Sequence, residues 1–487
     1  MSLFNKLKSA ATWQASEVIV TVLTQFIYLA VMARLLSKSD FGMMAITSSF
    51  IMLGFIFVES GMGAALIQRQ HINGRHITAA MQGGILLGLL LFLIFFFLSP
   101  YIASFFSIPE LKNLIRVISI NFLISSASSV SLGLLHKNFN FQKSAVVTIF
   151  SITISYTLGI LLAIAGFGVW SLVYATLLNS WMKAVGYFIF AKVKWQSGIF
   201  LKEWSQLLSF GLGIILLKFA NYIGRSGINL VLGKIFDPGV LGVFERTFQI
   251  KSLPASYLGN ILDTVMFPAM SEIQDDDIRL YALYQQTLGL VNSILMPVAL
   301  YLIFFSQEVV LILLGSKWPE SVLPLQIMLV ALPFSASGRM ADAVIRAKGR
   351  VYANAFRKFL YVSVLIAGSS WGALNYGLNG AATAVTVSSF FNYITMLFLV
   401  KSIFGKGIID IFLRPVLEGL RLAGYLLIPV SLICFSISGV SAYNLPVFLL
   451  FTFFVAVTAM WLLLKRPDCL GVYIEHFVIK IREKNAG

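Results

Sequence analysis

Leu207-Leu-Ser-Phe-Gly-Leu-Gly-Ile-Ile-Leu-Leu217 opens an apolar run that continues to Gly233, long enough to cross a bilayer as one helix. The run nevertheless carries Lys218, Asn221, Arg225 and Asn229. These positions step by three, four and four, so they share one helix face. A cation near the bilayer centre costs about 3 kcal/mol on insertion scales. Two on one face must look into a wet cavity or meet an anion, unless they reach the headgroups by snorkelling. That escape is open to Lys218 more than to Arg225, which sits near the middle of the run. The pattern predicts a cationic wall facing a negatively charged substrate.

Outward from this stretch, the whole chain has the same character. Of its 487 residues 58% are hydrophobic and 11% charged, which excludes an ordinary soluble domain and predicts an all-α polytopic membrane protein. Two cysteines, Cys434 and Cys469, cannot form a disulfide framework, and four histidines form no metal-ligand cluster in the sequence. No metal or organic cofactor is expected. The first apolar run, from about Thr12, reads as a full span after the Lys6/Lys8 tail rather than as a cleavable signal.

Hydropathy predicts about fourteen transmembrane helices. They include spans at 10–33, 111–135, 240–268, 322–345, 357–375 and 379–400. Only five basic residues, Arg34, Lys38, Lys112, Lys234 and Lys317, fall in one set of loops, and most of the rest fall in the other. That asymmetry places both termini in the cytoplasm. It also accounts for most of the net charge of +16 as a topology signal, so nucleic acid is not an expected partner. Arg357 and Lys358 are counted among these cytoplasmic loop charges. Every loop is short; the longest outside loop, between spans nine and ten, has about fifteen residues.

The chain repeats itself. Arg34-Leu-Leu-Ser-Lys-Ser-Asp-Phe-Gly42 returns at an offset of 200 as Lys234-Ile-Phe-Asp-Pro-Gly-Val-Leu-Gly242. Lys137-Asn-Phe-Asn-Phe141 and Lys348-Gly-Arg-Val-Tyr352 form a second pair, and the Gly-rich hairpins at Gly166–Gly168 and Asn375–Gly380 a third. Two pseudo-symmetric six-helix lobes are expected, at 1–191 and 206–400. Two additional helices at 416–464 and a cytoplasmic tail at 465–487 complete the chain. Coincidence between apolar helices is the alternative.

Further polar seams appear at equivalent places. Span one carries Gln14, Thr21, Gln25 and Tyr28, with Glu17 beside them. Span eight carries Glu245, Gln249, Asn260 and Asp263, with Arg246 and Lys251. Arg116 lies in span four, and Arg339 in span ten stands three residues before Asp342, a pairing distance. Serines and asparagines can equally serve as helix–helix glue, but that reading strains for so many charges. The seams predict a central polar cleft. Its cations, Lys218, Arg225, Arg246, Lys251, Arg339 and Arg116, would bind an anionic group. Gln25, Tyr28, Asn221, Asn229 and Asn260 would line it. Glu17, Glu59, Asp263 and Asp342 are the carboxylates able to bind a coupling H⁺ or Na⁺, and salt-bridging to the cations is their alternative role.

Chemistry is absent where catalysis would need it. No Gly-x4-Gly-Lys-Ser/Thr or His-Glu-x2-His occurs, so neither ATP hydrolysis nor zinc-dependent hydrolysis of that kind is expected. Asp275-Asp276-Asp277 reads as an exposed acidic turn or, less simply, a carboxylate cluster for a metal or a nucleotide sugar.

Four fragments, in order, carry a resemblance over essentially the full length. They are Ala33-Arg34-Leu35 before Asp40-Phe41-Gly42, Ala65-Leu66-Ile67-Gln68-Arg69, Phe267-Pro268-Ala269 with Ile273-Gln274-Asp275-Asp276, and Gly315-Ser-Lys-Trp318. The chain resembles the polysaccharide flippases of the multidrug/oligosaccharidyl-lipid/polysaccharide superfamily, in the colanic-acid exporter and O-antigen flippase branch. The resemblance implies a non-enzymatic transporter in the bacterial inner membrane. Its implied cargo is an undecaprenyl-pyrophosphate-linked sugar repeat unit, moved to the periplasmic leaflet by alternating access around a cationic cavity. Membrane lipids and the polysaccharide polymerase machinery are the partners it implies. A drug or cation antiporter of the same superfamily, and a polymerase or ligase acting on lipid-linked sugars, are the rivals.

Overall fold

The computed structural model describes residues 3–60, 73–138, 140–193, 196–198, 200, 219 and 222–438. The opening part of the 206–233 span, the last span at 444–464 and the 465–487 tail lie outside the described residues. Every regular element among the described residues is helical. Among the described residues seven helices are long and apolar enough to cross a membrane, or eight if one bent pair counts as a single span. The chain is a polytopic all-α membrane protein, as the composition predicted.

The helices follow the apolar runs: α1 (Leu3–Leu35), α2 (Lys38–Ser60), α3 (Gly74–Phe106), α4 (Leu111–Ile118), α5 (Ile120–Lys137), α6 (Phe141–Ile164) and α7 (Val169–Ala191). A π-helical turn, Ile223–Gly227, leads into α8 (Ile228–Ile235). Then come α9 (Pro238–Glu272), α10 (Asp277–Phe304), α11 (Ser306–Leu313), α12 (Val322–Leu329), α13 (Leu332–Ala347), α14 (Val351–Phe404) and α15 (Ile408–Ser438). The 111–135 span is continuous, running as Leu111–Lys137 through α4 and α5 with a single turn residue, Ser119, between them. One predicted span is bent. The 322–345 span divides into α12 and α13, bent by 45°. The predicted outside loop between spans nine and ten is itself largely helical, as α11 and a short 3-10 turn at Pro319–Ser321.

Two compact units emerge. The first runs to Glu245 and takes back Leu313–Lys317; the second takes Arg246–Ile312 and the chain from Trp318 onward. Within the first, α1 packs on α6, α6 on α7, and α3 on α5. Within the second, α10 packs on α15 and α13 on α14. The long α14 is two antiparallel arms that turn at Gly377, whose φ of +59° a side chain would strain.

The repeated loops of the first unit meet each other. A Cβ built on Gly42 would strike the carbonyl of Pro238, and one built on Gly242 would strike the carbonyl of Lys38. Lys38 and Pro238 are themselves related by the offset of 200. The contact is therefore reciprocal, with each glycine opening the other repeat's first helical turn to close backbone approach. Asp40 braces the same corner: Val169 N and Ser37 N donate to its carboxylate, both at 2.9 Å. The fragment at Gly315 joins it too, where Lys317 Nζ donates to the Arg34 carbonyl at 2.9 Å.

Candidate functional site: buried cations in apolar helices

Lys251 stands on α9, where a helix rich in apolar residues carries a charge into the interior. It is 5% exposed. Its ammonium donates to Ser335 Oγ of α13 at 3.4 Å and lies 5.7 Å from the Phe248 ring centre. A hydroxyl at that distance and a ring face compensate little for the several kcal/mol that an ion loses on burial. Arg339 follows Ser335 by one turn of α13 and is close enough to act electrostatically on Lys251. Its guanidinium fills the notch opposite Gly259, where a Cβ would stand 2.5 Å from Nη1. Two positive groups thus converge between α9 and α13, in a position to hold an anion.

A second polar group in the same unit was not singled out by the sequence. Arg357 is 7% exposed on α14. Its Nε and Nη2 donate to Asn354 Oδ1 at 3.2 and 3.0 Å, and Nη1 donates to Asn392 Oδ1 on the other arm. Asn354 in turn donates to Asp342 Oδ1 at 2.6 Å, and Asp342 Oδ2 pairs with Arg346 Nε at 2.8 Å. This network joins the end of α13 to both arms of α14. Arg357 sits inside a helix that was expected to begin at residue 357, so its charge belongs to a buried lattice. The available signal was the spacing of Asn354 and Arg357 on one helix face.

The other predicted residues fall in different settings. Arg116 on α4 donates from Nε to Ser99 Oγ at 3.0 Å and lies 4.5 Å from the Phe96 ring centre, so α3 supplies its partners. Tyr28 stacks on Tyr156 with ring centres 3.9 Å apart and packs over Gly159. Gln25 and Glu17 are half-buried on α1, and Arg246 is half-buried on α9. Asn229 donates from Nδ2 to Glu245 Oε2 at 2.8 Å. Lys218 and Asn221 lie outside the described residues, as do the side chains of Arg225, Asn260, Asp263 and Glu59. The backbone of Arg225 is in the π-helical turn. Such turns concentrate at functional sites, and this one departs from the regular helix assumed by the spacing.

The acidic triplet is a helix start. Arg279 N donates to Asp276 Oδ1 at 3.0 Å, capping α10, and Asp277 pairs with Lys348 at 2.5 Å. Among the described residues no group of three His, Cys, Asp or Glu is placed to hold a metal ion.

Comparison with known proteins places this arrangement. The lipopolysaccharide biosynthesis protein WzxC of Escherichia coli (strain K12) is 24% identical over 444 residues, covering 90% of this chain and 88% of that protein. The teichuronic acid biosynthesis protein TuaB of Bacillus subtilis (strain 168) is 23% identical over 354 residues, 72% of this chain and 73% of that one. Among solved structures, the lipid II flippase MurJ in an inward closed conformation superposes with a TM-score of 0.74 at 17% identity. It covers 92% of this chain and 97% of that one, so the two share a fold. A polysaccharide biosynthesis protein family model matches residues 31–323, more than half of the sequence, and the chain belongs to that family.

Proposed function

We propose that this protein is a flippase for undecaprenyl-pyrophosphate-linked oligosaccharide repeat units. It carries them from the cytoplasmic to the periplasmic leaflet of the bacterial inner membrane, for surface polysaccharide assembly. The observation that carries the reading is Lys251, a cation buried in an apolar helix that among the described residues meets a hydroxyl at 3.4 Å and a ring face, beside Arg339. A pyrophosphate offers the missing charge and several acceptor oxygens. The names of the matched relatives, in lipopolysaccharide and teichuronic acid biosynthesis, and the MurJ fold support a lipid-linked sugar as the carrier of that charge.

In this reading Lys251 and Arg339 bind the diphosphate, with Lys218, Arg225 and Arg246 as further ligands. Asn221, Asn229, Gln25 and Asn260 face the sugars. The prenyl tail stays in lipid and needs no polar group. About fourteen spans, in six-helix lobes at 1–191 and 206–400 with two helices after them, put both termini in the cytoplasm. The polymerase machinery takes the cargo on the far side. The deciding experiment locates the lipid-linked intermediate by leaflet, with and without the protein. Accumulation on the cytoplasmic side in its absence is expected. Unpolymerised units already facing outward in its absence would favour a polymerase or ligase instead.

A further inference from the structure

Within the first unit, α3 and α8 leave an apolar cleft near their ends. α3 ends at Phe106 and α8 at Ile235. The cleft has a volume of about 660 Å³, and Leu98, Ile102, Leu230 and Val231 are among the side chains that line it. Two further lining residues, Tyr101 and Phe105, are 73% and 58% exposed. They continue a face of α3 on which Leu90, Ile94 and Phe97 are exposed as well. From Leu90 to Phe105 these positions step by four, three, four and four, so they share one side of the helix. On a spanning helix such an exposed apolar face is met by lipid, and the cleft opens on it.

Among the described residues the lining carries one charge, Lys234, the next-to-last residue of α8. The sequence places it among the outside loop charges. Its ammonium donates to the Phe105 carbonyl at 2.5 Å and lies 4.9 Å from the Phe105 ring centre. That carbonyl is in the last turn of α3, and the residue four further on is Pro109, which has no N–H to give. The bond uses one of the three ammonium N–H groups and leaves Lys234 exposed. Asp237, three residues on, accepts from Gly239 N at 2.8 Å in its own turn.

We propose that this cleft binds one anionic phospholipid, with an acyl chain between α3 and α8 and its phosphate at Lys234. The two parts of the ligand follow from the two parts of the site. Apolar walls open to the membrane take a hydrocarbon chain. A single ammonium at the level where both helices end meets a phosphodiester, which carries one negative charge. Tyr101 adds a hydroxyl at the depth where tyrosines meet headgroups. A pyrophosphate-linked lipid is the poorer match, because its additional charge finds no second cation in the lining. The proposal draws neither on Lys251 nor on transport, so the flippase reading can fail without it.

Native mass spectrometry of the full chain in detergent, with phosphatidylglycerol or phosphatidylcholine of the same chains added, reads the site directly. One retained lipid is expected, with phosphatidylglycerol preferred about fivefold. Lys234→Gln can still donate to the Phe105 carbonyl but has no charge, so the preference should vanish; Lys234→Arg should keep it. Leu230→Trp fills the cleft and should lower retention of both lipids. A phosphatidylglycerol with a photoreactive diazirine at mid-chain should label peptides of α3 and α8 in the wild-type protein, which holds the test open if Leu230→Trp does not fold. An undiminished preference in Lys234→Gln, or label spread evenly over the other spanning helices, overturns the proposal. Displacement of phosphatidylglycerol by equimolar undecaprenyl pyrophosphate also overturns it and gives the cleft to that lipid.

Discussion

Arg116 and Lys251 are both cations within long apolar stretches, and the fold treats them in opposite ways. Arg116 lies where α3 supplies a hydroxyl at 3.0 Å and an aromatic face, so its charge is used up in packing. Lys251 lies deeper, with one hydroxyl at 3.4 Å. Both positions are basic residues within predicted spans, and nothing in composition separates them. The partners separate them. A cation whose donors are filled by its own helices contributes to stability, whereas one left short of acceptors is held ready for a ligand.

Lys251→Met breaks this comparison most directly. Methionine keeps the stem's volume and removes the charge, and replacing a poorly paired buried ion by an apolar side chain is often neutral or stabilising. Export of polymer should therefore be lost at normal protein levels, with the thermal transition in detergent unchanged or raised. A fall in thermal stability with export intact would make Lys251 a structural residue like Arg116.

Arg357→Ala tests the filled case where the network is largest. It strands Asn354 and Asn392, and removing one member of a buried ionic network costs about 3 kcal/mol. A marked drop in thermal stability is expected, and Arg357→Lys, which cannot make the forked contact with Asn354, should recover only part of it. Unchanged stability would mean that the network adds nothing to the junction of α13 and α14.

How far these distinctions were legible depends on what a sequence carries. The glycines of the two similar loops were, because close backbone approach demands that residue: Gly42 and Gly242 stand at the same offset as the Lys38 and Pro238 carbonyls they admit. The Gly377 turn was legible for a different reason, a φ of +59° that favours glycine. The bend between α12 and α13 was not, since apolar residues continue through it and hydropathy does not see direction. Arg357 was read as a loop charge because a basic residue near a helix end looks the same whether it faces headgroups or a buried asparagine. The π-helical turn around Arg225 also left no mark, as it alters the number of residues per turn without altering their type.

Gly242→Ala sharpens the symmetric side of the comparison. A methyl group there meets the Lys38 carbonyl, a backbone atom that cannot step aside, so the α2 and α9 first turns must part. Overpacking of this kind costs about 2 kcal/mol. Gly42→Ala should cost a similar amount against the Pro238 carbonyl, because the contact is reciprocal. Equal losses measured by thermal unfolding would support the duplicated contact, and a loss at only one glycine would count against it.

Arg116→Met should have the smallest effect. It removes a charge-assisted hydrogen bond to Ser99 and the contact with the Phe96 ring, together worth about 1 kcal/mol at a half-buried site. Methionine still covers the ring, and Ser99 Oγ keeps its own donation to the Phe96 carbonyl at 2.8 Å, so no buried donor is stranded. Export should be unaffected. Arg116→Lys should fall between wild type and Met, because an ammonium can sit over the ring but lacks the second direction that reaches Ser99. If Arg116→Met abolished export while leaving stability intact, partner satisfaction would no longer distinguish structural cations from ligand-binding ones. Arg116 would then join Lys251 among the groups that meet the substrate.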